Sequence, residues 1–131
     1  METKQVADYL FVYGTLKLEV APAEIVEVMR YLRNVGRATI RGFLYDLGMY
    51  PGVRLDANGG EVEGEILEFN DPAVLKFLDT YEGYDPETPG KSLFVRRRCQ
   101  VHLKEENLFC WVYEYNPQPP RSRRIDAWPP P

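Results

Sequence analysis

Of the twenty carboxylate side chains in the sequence, one stands in apolar company. The segment Asp71-Pro72-Ala73-Val74-Leu75-Lys76-Phe77-Leu78-Asp79-Thr80-Tyr81-Glu82-Gly83 has helical periodicity. At about 100° per residue its apolar arc runs from Phe77 through Tyr81, Val74 and Leu78 to Leu75, and Glu82 falls between Leu78 and Leu75. Asp79, by contrast, leaves the arc beside Lys76, three residues before it, as a solvated pair should. Glu82 also occupies the last turn before a glycine stop. Desolvation and the negative end of the helix dipole both disfavour its anion, so its pKa should be raised. A carboxyl group poised nearer neutrality can take up a proton in one step and return it in the next, the task of a general acid/base. The competing reading is a frayed helix end that lets Glu82 reach water, or a hold on it by Arg96, Arg97 or Arg98.

The second candidate lies at the other end of the chain, in Leu10-Phe11-Val12-Tyr13-Gly14-Thr15-Leu16-Lys17. Tyr9 to Tyr13 suits a buried strand, and Gly14 can leave it at φ > 0. The N–H groups beyond such a turn lack ladder partners and can converge on a carboxylate or carbonyl oxygen. The plainer alternative is that Gly14 only ends an edge strand. Arg96-Arg97-Arg98 suggests nucleic acid, yet strand alternation sends these side chains to opposite faces. One of them can serve a substrate carboxylate, or all three can form a solvated rim. One histidine and two cysteines assemble no metal-ligand cluster, and no metal or other cofactor is expected. No serine or cysteine stands in a nucleophile motif and no phosphate-loop pattern occurs, so covalent and nucleotide chemistry have no support. His102 has no local partner.

These residues need a scaffold. Pro22 to Asn34 carries Ile25, Val28, Met29 and Leu32 on one helical face, with Pro22 at its start and Gly36 just past its stop. Val35 to Tyr45 reads as β, with Gly42 where a bulge or bend fits. Asp46 to Gly52 is a turn-rich loop whose Met49 and Tyr50 either line a pocket or simply pack. Val53-Leu55 and Glu61-Phe69 read as a hairpin around Asp56 to Gly60. The second helix starts at Asp71-Pro72 and ends at Gly83. Tyr84 to Ser92 is a loop, and Phe94-Leu103 with Leu108-Tyr115 form another hairpin. In the latter, Phe109, Trp111, Tyr113 and Tyr115 form one packed face. Five or six mostly antiparallel strands and two helices make an α+β fold, and short bent strands favour a small mixed barrel that leaves few open edges.

At 131 residues the chain suffices for one domain, assigned to 1–115, followed by a proline-rich tail over 116–131. Ile125 and Trp128 are the tail residues able to pin it to the barrel. The net charge of -4 argues against general affinity for nucleic acid or anionic membranes. No apolar signal core or membrane-length stretch is present, so a cytoplasmic location is expected. Cys99 and Cys110 then read as small buried hydrophobes in adjacent strands, without a bridge.

Taken together, the motifs resemble the gamma-glutamylcyclotransferase family, in the branch with gamma-glutamylamine cyclotransferases. The pieces are Tyr13-Gly14-Thr15-Leu16, Gly42 to Gly48 with Tyr50-Pro51-Gly52, Val62-Glu63-Gly64-Glu65, Leu78 to Tyr84, Phe94-Val95-Arg96 and Trp111-Val112-Tyr113. The resemblance implies a mixed barrel with flanking helices and cyclisation of a gamma-glutamyl compound to 5-oxoproline, with release of an amine or amino acid. It implies Glu82 as the catalytic residue and Tyr13, Gly14, Thr15 and Leu16 as substrate-binding residues. Phe94 departs from the family, which often has tyrosine there, and the tail lies outside the resemblance. The alternative is a non-catalytic small-ligand-binding barrel of the same fold. The leaving amine and the oligomeric state are not legible.

Overall fold

Strand β1 (Asp8–Val12) is buried on both sides, and the rest of the fold is arranged to cover it. The computed structural model describes residues 7–14 and 26–130. Within them, β1 is followed by α1 (Val26–Met29), β2 (Arg33–Asp46), β3 (Pro51–Leu55), β4 (Gly60–Phe69), α2 (Ala73–Glu82), β5 (Phe94–Leu103), β6 (Glu106–Tyr115) and the short β7 (Arg124–Ile125). β1 pairs antiparallel with β4, β4 with β2 and β2 with β3; β3 then runs parallel to β6, and β6 parallel to β1. These five strands close a mixed barrel, as expected for the α+β class. β5 extends it, pairing with β6 from Phe94↔Tyr115 to Leu103↔Glu106 and meeting β2 at Thr39↔His102.

Two clusters divide the core. Phe11, Ile40, Val53, Val62, Ile66, Val101 and Val112 come from all six long strands and fill the barrel. Leu10, Val12, Leu67, Phe69 and Tyr113 face outward, where Val74, Leu75 and Leu78 of α2 cover them. The helical arc is therefore confirmed at its centre. Phe77, at its edge, is 45 % exposed.

Three local expectations are corrected. The Val53–Leu55 and Glu61–Phe69 segments do not pair with each other as a hairpin. β2 is 14 residues long and holds both end to end: Gly42 faces Gly60 of β4 and Leu55 of β3, so the strand changes partner there. The first helix ends at Met29 instead of Asn34, and its first residues, 22–25, lie outside the described ones. Arg33 and Asn34 join the β4 ladder opposite Glu68 and Leu67, and Arg33 forms an ion pair with Glu68 at 2.8 Å. Leu32, which completed the helical pattern, reaches the core from the link between the elements. Finally, the register shift in β2 falls between Asn34 and Gly36, not at Gly42.

Cys99 and Cys110 face each other across β5 and β6 as free thiols, and burial pushes them up to about 11 and about 12. Beyond β6, β7 clips onto β2 through Leu44↔Ile125 and Tyr45↔Arg124. The Arg124 guanidinium lies 3.8 Å from the Phe43 ring centre and donates to the Tyr45 hydroxyl. Ile125 and Trp128 pack against the barrel cluster. Removal of residues 121–131 is therefore expected to leave a folded domain that is less stable by about 1 to 3 kcal/mol in urea denaturation, from the apolar area uncovered. An unchanged midpoint would show that these contacts are only decorative.

Candidate active site

The end of α2 is fixed by local chemistry at both termini. Asp71 Oδ1 accepts the Ala73 N–H at 2.9 Å, as an N-cap carboxylate does. Gly83 takes the left-handed conformation at φ 70° and ψ 36°, which a glycine adopts without a Cβ penalty. Its N–H reaches Thr80 O, and the Tyr84 N–H reaches Asp79 O at 2.8 Å. The Gly83 carbonyl accepts from Leu93 N–H at 3.1 Å, so the chain leading into β5 is tied to the helix end. Glu82 is thereby held in the last ordered turn and does not fray.

Glu82 lines a cavity of about 420 Å³ between α2, the end of β1, the β2–β3 loop and the start of β5. Tyr13 and Gly14 just past β1, Met49 and Tyr50 from the loop, Pro51 at the start of β3, Leu93 and Phe94, and Tyr113 from β6 complete most of the wall. Burial pushes the Glu82 carboxyl from 4.5 up to about 7, and among the described residues no hydrogen bond or ion pair to it offsets that cost. The neighbouring phenols are already committed. Tyr13 donates to the Tyr113 carbonyl at 2.5 Å and accepts the Val53 N–H at 3.2 Å, while Tyr113 donates to Asp79 at 2.8 Å. Burial, reinforced at Tyr13 by the Glu82 carboxylate and at Tyr113 by Asp79, raises both hydroxyls far above the usual range, so they stay protonated. Glu82 is the group in this wall able to exchange a proton near neutrality. Among the described residues, no three His, Cys, Asp or Glu side chains converge as metal ligands.

Tyr13 and Gly14 thus share the cavity with Glu82, while Thr15 and Leu16 lie outside the described residues. The expected conformation at Gly14 is corrected: positive φ occurs at Gly36, Gly48, Gly83 and Lys104, not there. Glycine is needed for space. A Cβ at position 14 would stand 2.7 Å from Cγ and 3.0 Å from Cδ of Pro51, in a ring that cannot swing aside. Gly14→Ala is expected to push the β2–β3 loop out of the cavity, costing about 1 to 3 kcal/mol of stability and about tenfold or more in turnover. Gly90→Ala, where a Cβ meets nothing within 4 Å, is the control and should match the parent in both assays. Equal behaviour of the two variants would remove Gly14 from the site.

Asp79 is the main correction. Instead of pairing with Lys76 in solvent it is 5 % exposed, and Arg96 binds it through Nε at 2.8 Å and Nη2 at 3.2 Å. Arg96 therefore holds Asp79, and Glu82 is left without an arginine. Alternation in the arginine run is as expected, but the residues form no free rim. Arg96 and Arg98 lie 4.3 and 4.4 Å from the Trp111 ring centre, and Arg98 also pairs with Asp8. Arg97 turns the other way to Glu114 at 2.6 Å. The β2–β3 loop joins the wall: Tyr50 packs on Phe94 with ring centres 5.9 Å apart, and Phe94 on Tyr115 at 5.5 Å. Phe94 and Tyr113 were not singled out as site residues by sequence. The period-two stripe through Tyr113 was the available signal, but it is not one packed face: Tyr113 is buried, Trp111 and Tyr115 are half-buried, and Phe109 at its far end is 61% exposed.

Comparison with known proteins agrees with this architecture. The family described as gamma-glutamyl cyclotransferase, AIG2-like, matches residues 10–129, including most of the proline-rich tail. A Halalkalibacterium halodurans protein named "Putative gamma-glutamylcyclotransferase BH1612" is 33% identical over 90 residues, covering 68% of this chain and 77% of the relative. The crystal structure of an AIG2-like protein from Mus musculus superposes with a TM-score of 0.71 at 23% identity, covering 93% of this chain and 88% of that one. A solution structure from Arabidopsis thaliana gives 0.64 at 21% identity, covering 98% and 80%. Those two likenesses concern the fold. From the extent of the family match and the similarity to the bacterial relative, the chain belongs to the gamma-glutamyl cyclotransferase, AIG2-like family.

Proposed function

We propose that the protein converts a small gamma-glutamyl compound to 5-oxoproline and releases an amine or amino acid. The observation that carries this reading is Glu82: a carboxyl raised to about 7, unpaired among the described residues, in the wall of a cavity shared with Tyr13 and Gly14. The substrate's α-amine attacks its own γ-carbonyl carbon. A C–N bond forms to close the five-membered lactam, and the C–N bond to the leaving amine breaks. One proton crosses from the attacking to the leaving nitrogen, and Glu82 is the proposed carrier in both directions. The nucleophile belongs to the substrate, so the protein needs none. Holding the two ends of one molecule in a folded geometry supplies much of the remaining acceleration. Tyr13, Gly14, Thr15 and Leu16 are proposed to bind the glutamyl group, their backbone N–H groups steadying the oxygen that becomes negative.

Incubation with a panel of gamma-glutamyl amides and dipeptides, with chromatographic detection of 5-oxoproline, tests this proposal. Release from at least one member, in proportion to enzyme, is expected. Saturable binding without release would leave a ligand-binding barrel.

A further inference from the structure

The two carboxylates of the last turns of α2 are three residues apart and therefore neighbours on one helical face, about 5 to 6 Å between Cβ atoms. Their circumstances differ sharply. Asp79 accepts from two of the three Arg96 nitrogens and from the Tyr113 hydroxyl, while Glu82 has no hydrogen-bond or ion-pair partner among the described residues. Arg96 is itself withdrawn from water, its side chain only 17% exposed, so this cation is weakly screened. The Tyr113 hydroxyl feels Asp79, Arg96 and Glu82 together, so all three converge on one phenol. A long guanidinium side chain freed from Asp79 would have Glu82 as the nearest unpaired carboxylate on the same helix face.

We propose that Asp79 is a positioning residue that reserves the Arg96 guanidinium, leaving the Glu82 carboxyl one helical turn further on unpaired and able to exchange a proton. The inference rests on the proposed role of Glu82. The other ionisable groups of the cavity do not take over this function. Tyr13 just past β1 and Tyr113 from β6 stay protonated, their hydroxyls bound elsewhere. Tyr50 from the β2–β3 loop and Tyr81 of α2 also line the cavity, and the Arg97–Glu114 pair, outside its wall, is separately closed. The closed Asp79–Arg96 pair is the charged couple one helical turn from Glu82.

The test is the titration of the Glu82 side-chain carboxyl by carbon-13 NMR, assigned by its absence in Glu82→Gln, together with the pH profile of kcat/KM. In Asp79→Asn the released cation should pull the Glu82 titration down by about 1 to 3 pH units. In Arg96→Met the uncompensated Asp79 anion should push it up by about one unit or more. The double variant, neutral at both positions, should return to the parent value and also covers the case in which a single variant does not fold. A titration unmoved in the single variants, or a double variant displaced as far as Asp79→Asn, would reduce Asp79 to a purely structural anchor. If Glu82 titrates as described in every variant but the pH profile does not follow it, the inference stands and the catalytic reading of Glu82 fails.

Discussion

Glu82→Gln is expected to lower kcat for 5-oxoproline release by about 10²- to 10⁴-fold, the usual contribution of a positioned acid/base, with KM changed little. Glutamine keeps nearly the same shape in the cavity wall but cannot carry a proton between the two nitrogens. The same substitution should make the protein more stable, which separates lost chemistry from lost structure. Burial raises the Glu82 pKa from 4.5 to about 7, so between those pH values the folded chain holds a proton that the unfolded chain has released. Stability therefore falls as pH rises through this window and levels off above it. Glutamine removes that penalty. At pH 8 the variant should exceed the parent by about 1 to 2 kcal/mol, allowing for the partial exposure of the residue, and at pH 4 the two should coincide. An inactive variant that is also less stable at pH 8 would point to damage, not to a missing proton carrier.

Asp79→Ala is expected to be the most destabilising single change at this end of the molecule, by about 3 to 5 kcal/mol in equilibrium denaturation. The loss comes less from the attraction removed than from what is left behind. Arg96, its side chain only 17% exposed, loses both hydrogen bonds to the carboxylate and must leave its place to reach Glu82, and the Tyr113 hydroxyl loses its acceptor inside the core. Glu27→Ala provides the contrast: its pair with Arg30 spans 3.6 Å with both side chains largely in solvent, and should contribute less than about 1 kcal/mol. A loss below 1 kcal/mol for Asp79→Ala would mean that Arg96 finds another partner at no cost, and would weaken the assignment of Asp79 as its anchor.

Part of this site was legible in the sequence because helical periodicity is a local property. Glu82 among Leu75 and Leu78, ahead of a glycine stop, could be placed on the covered face from twelve residues alone. Asp79 could not. Its burial depends on Arg96 and Tyr113, which lie 17 and 34 residues further along and are brought to the helix by strand pairing. The same limit applies to the strands. Val53–Leu55 and Glu61–Phe69 looked like partners because a turn joins them, and only the length of β2 decides that they lie end to end. Leu32 satisfied the helical pattern and the core equally well, so pattern alone did not mark where α1 gave way to β2. At Gly14 the residue type was informative but its reason was not: the demand for space comes from Pro51, across the barrel mouth.

The central claim, that Glu82 moves the proton, is tested most directly by the pH dependence of kcat/KM for 5-oxoproline release, followed from about pH 3.5 to about pH 9. The account predicts an acid limb with an apparent pKa of about 7, reporting the free enzyme, and no such limb in the residual activity of Glu82→Gln. A limb at the ordinary glutamate value of about 4.3, or one at neutrality that persists in Glu82→Gln, would contradict it.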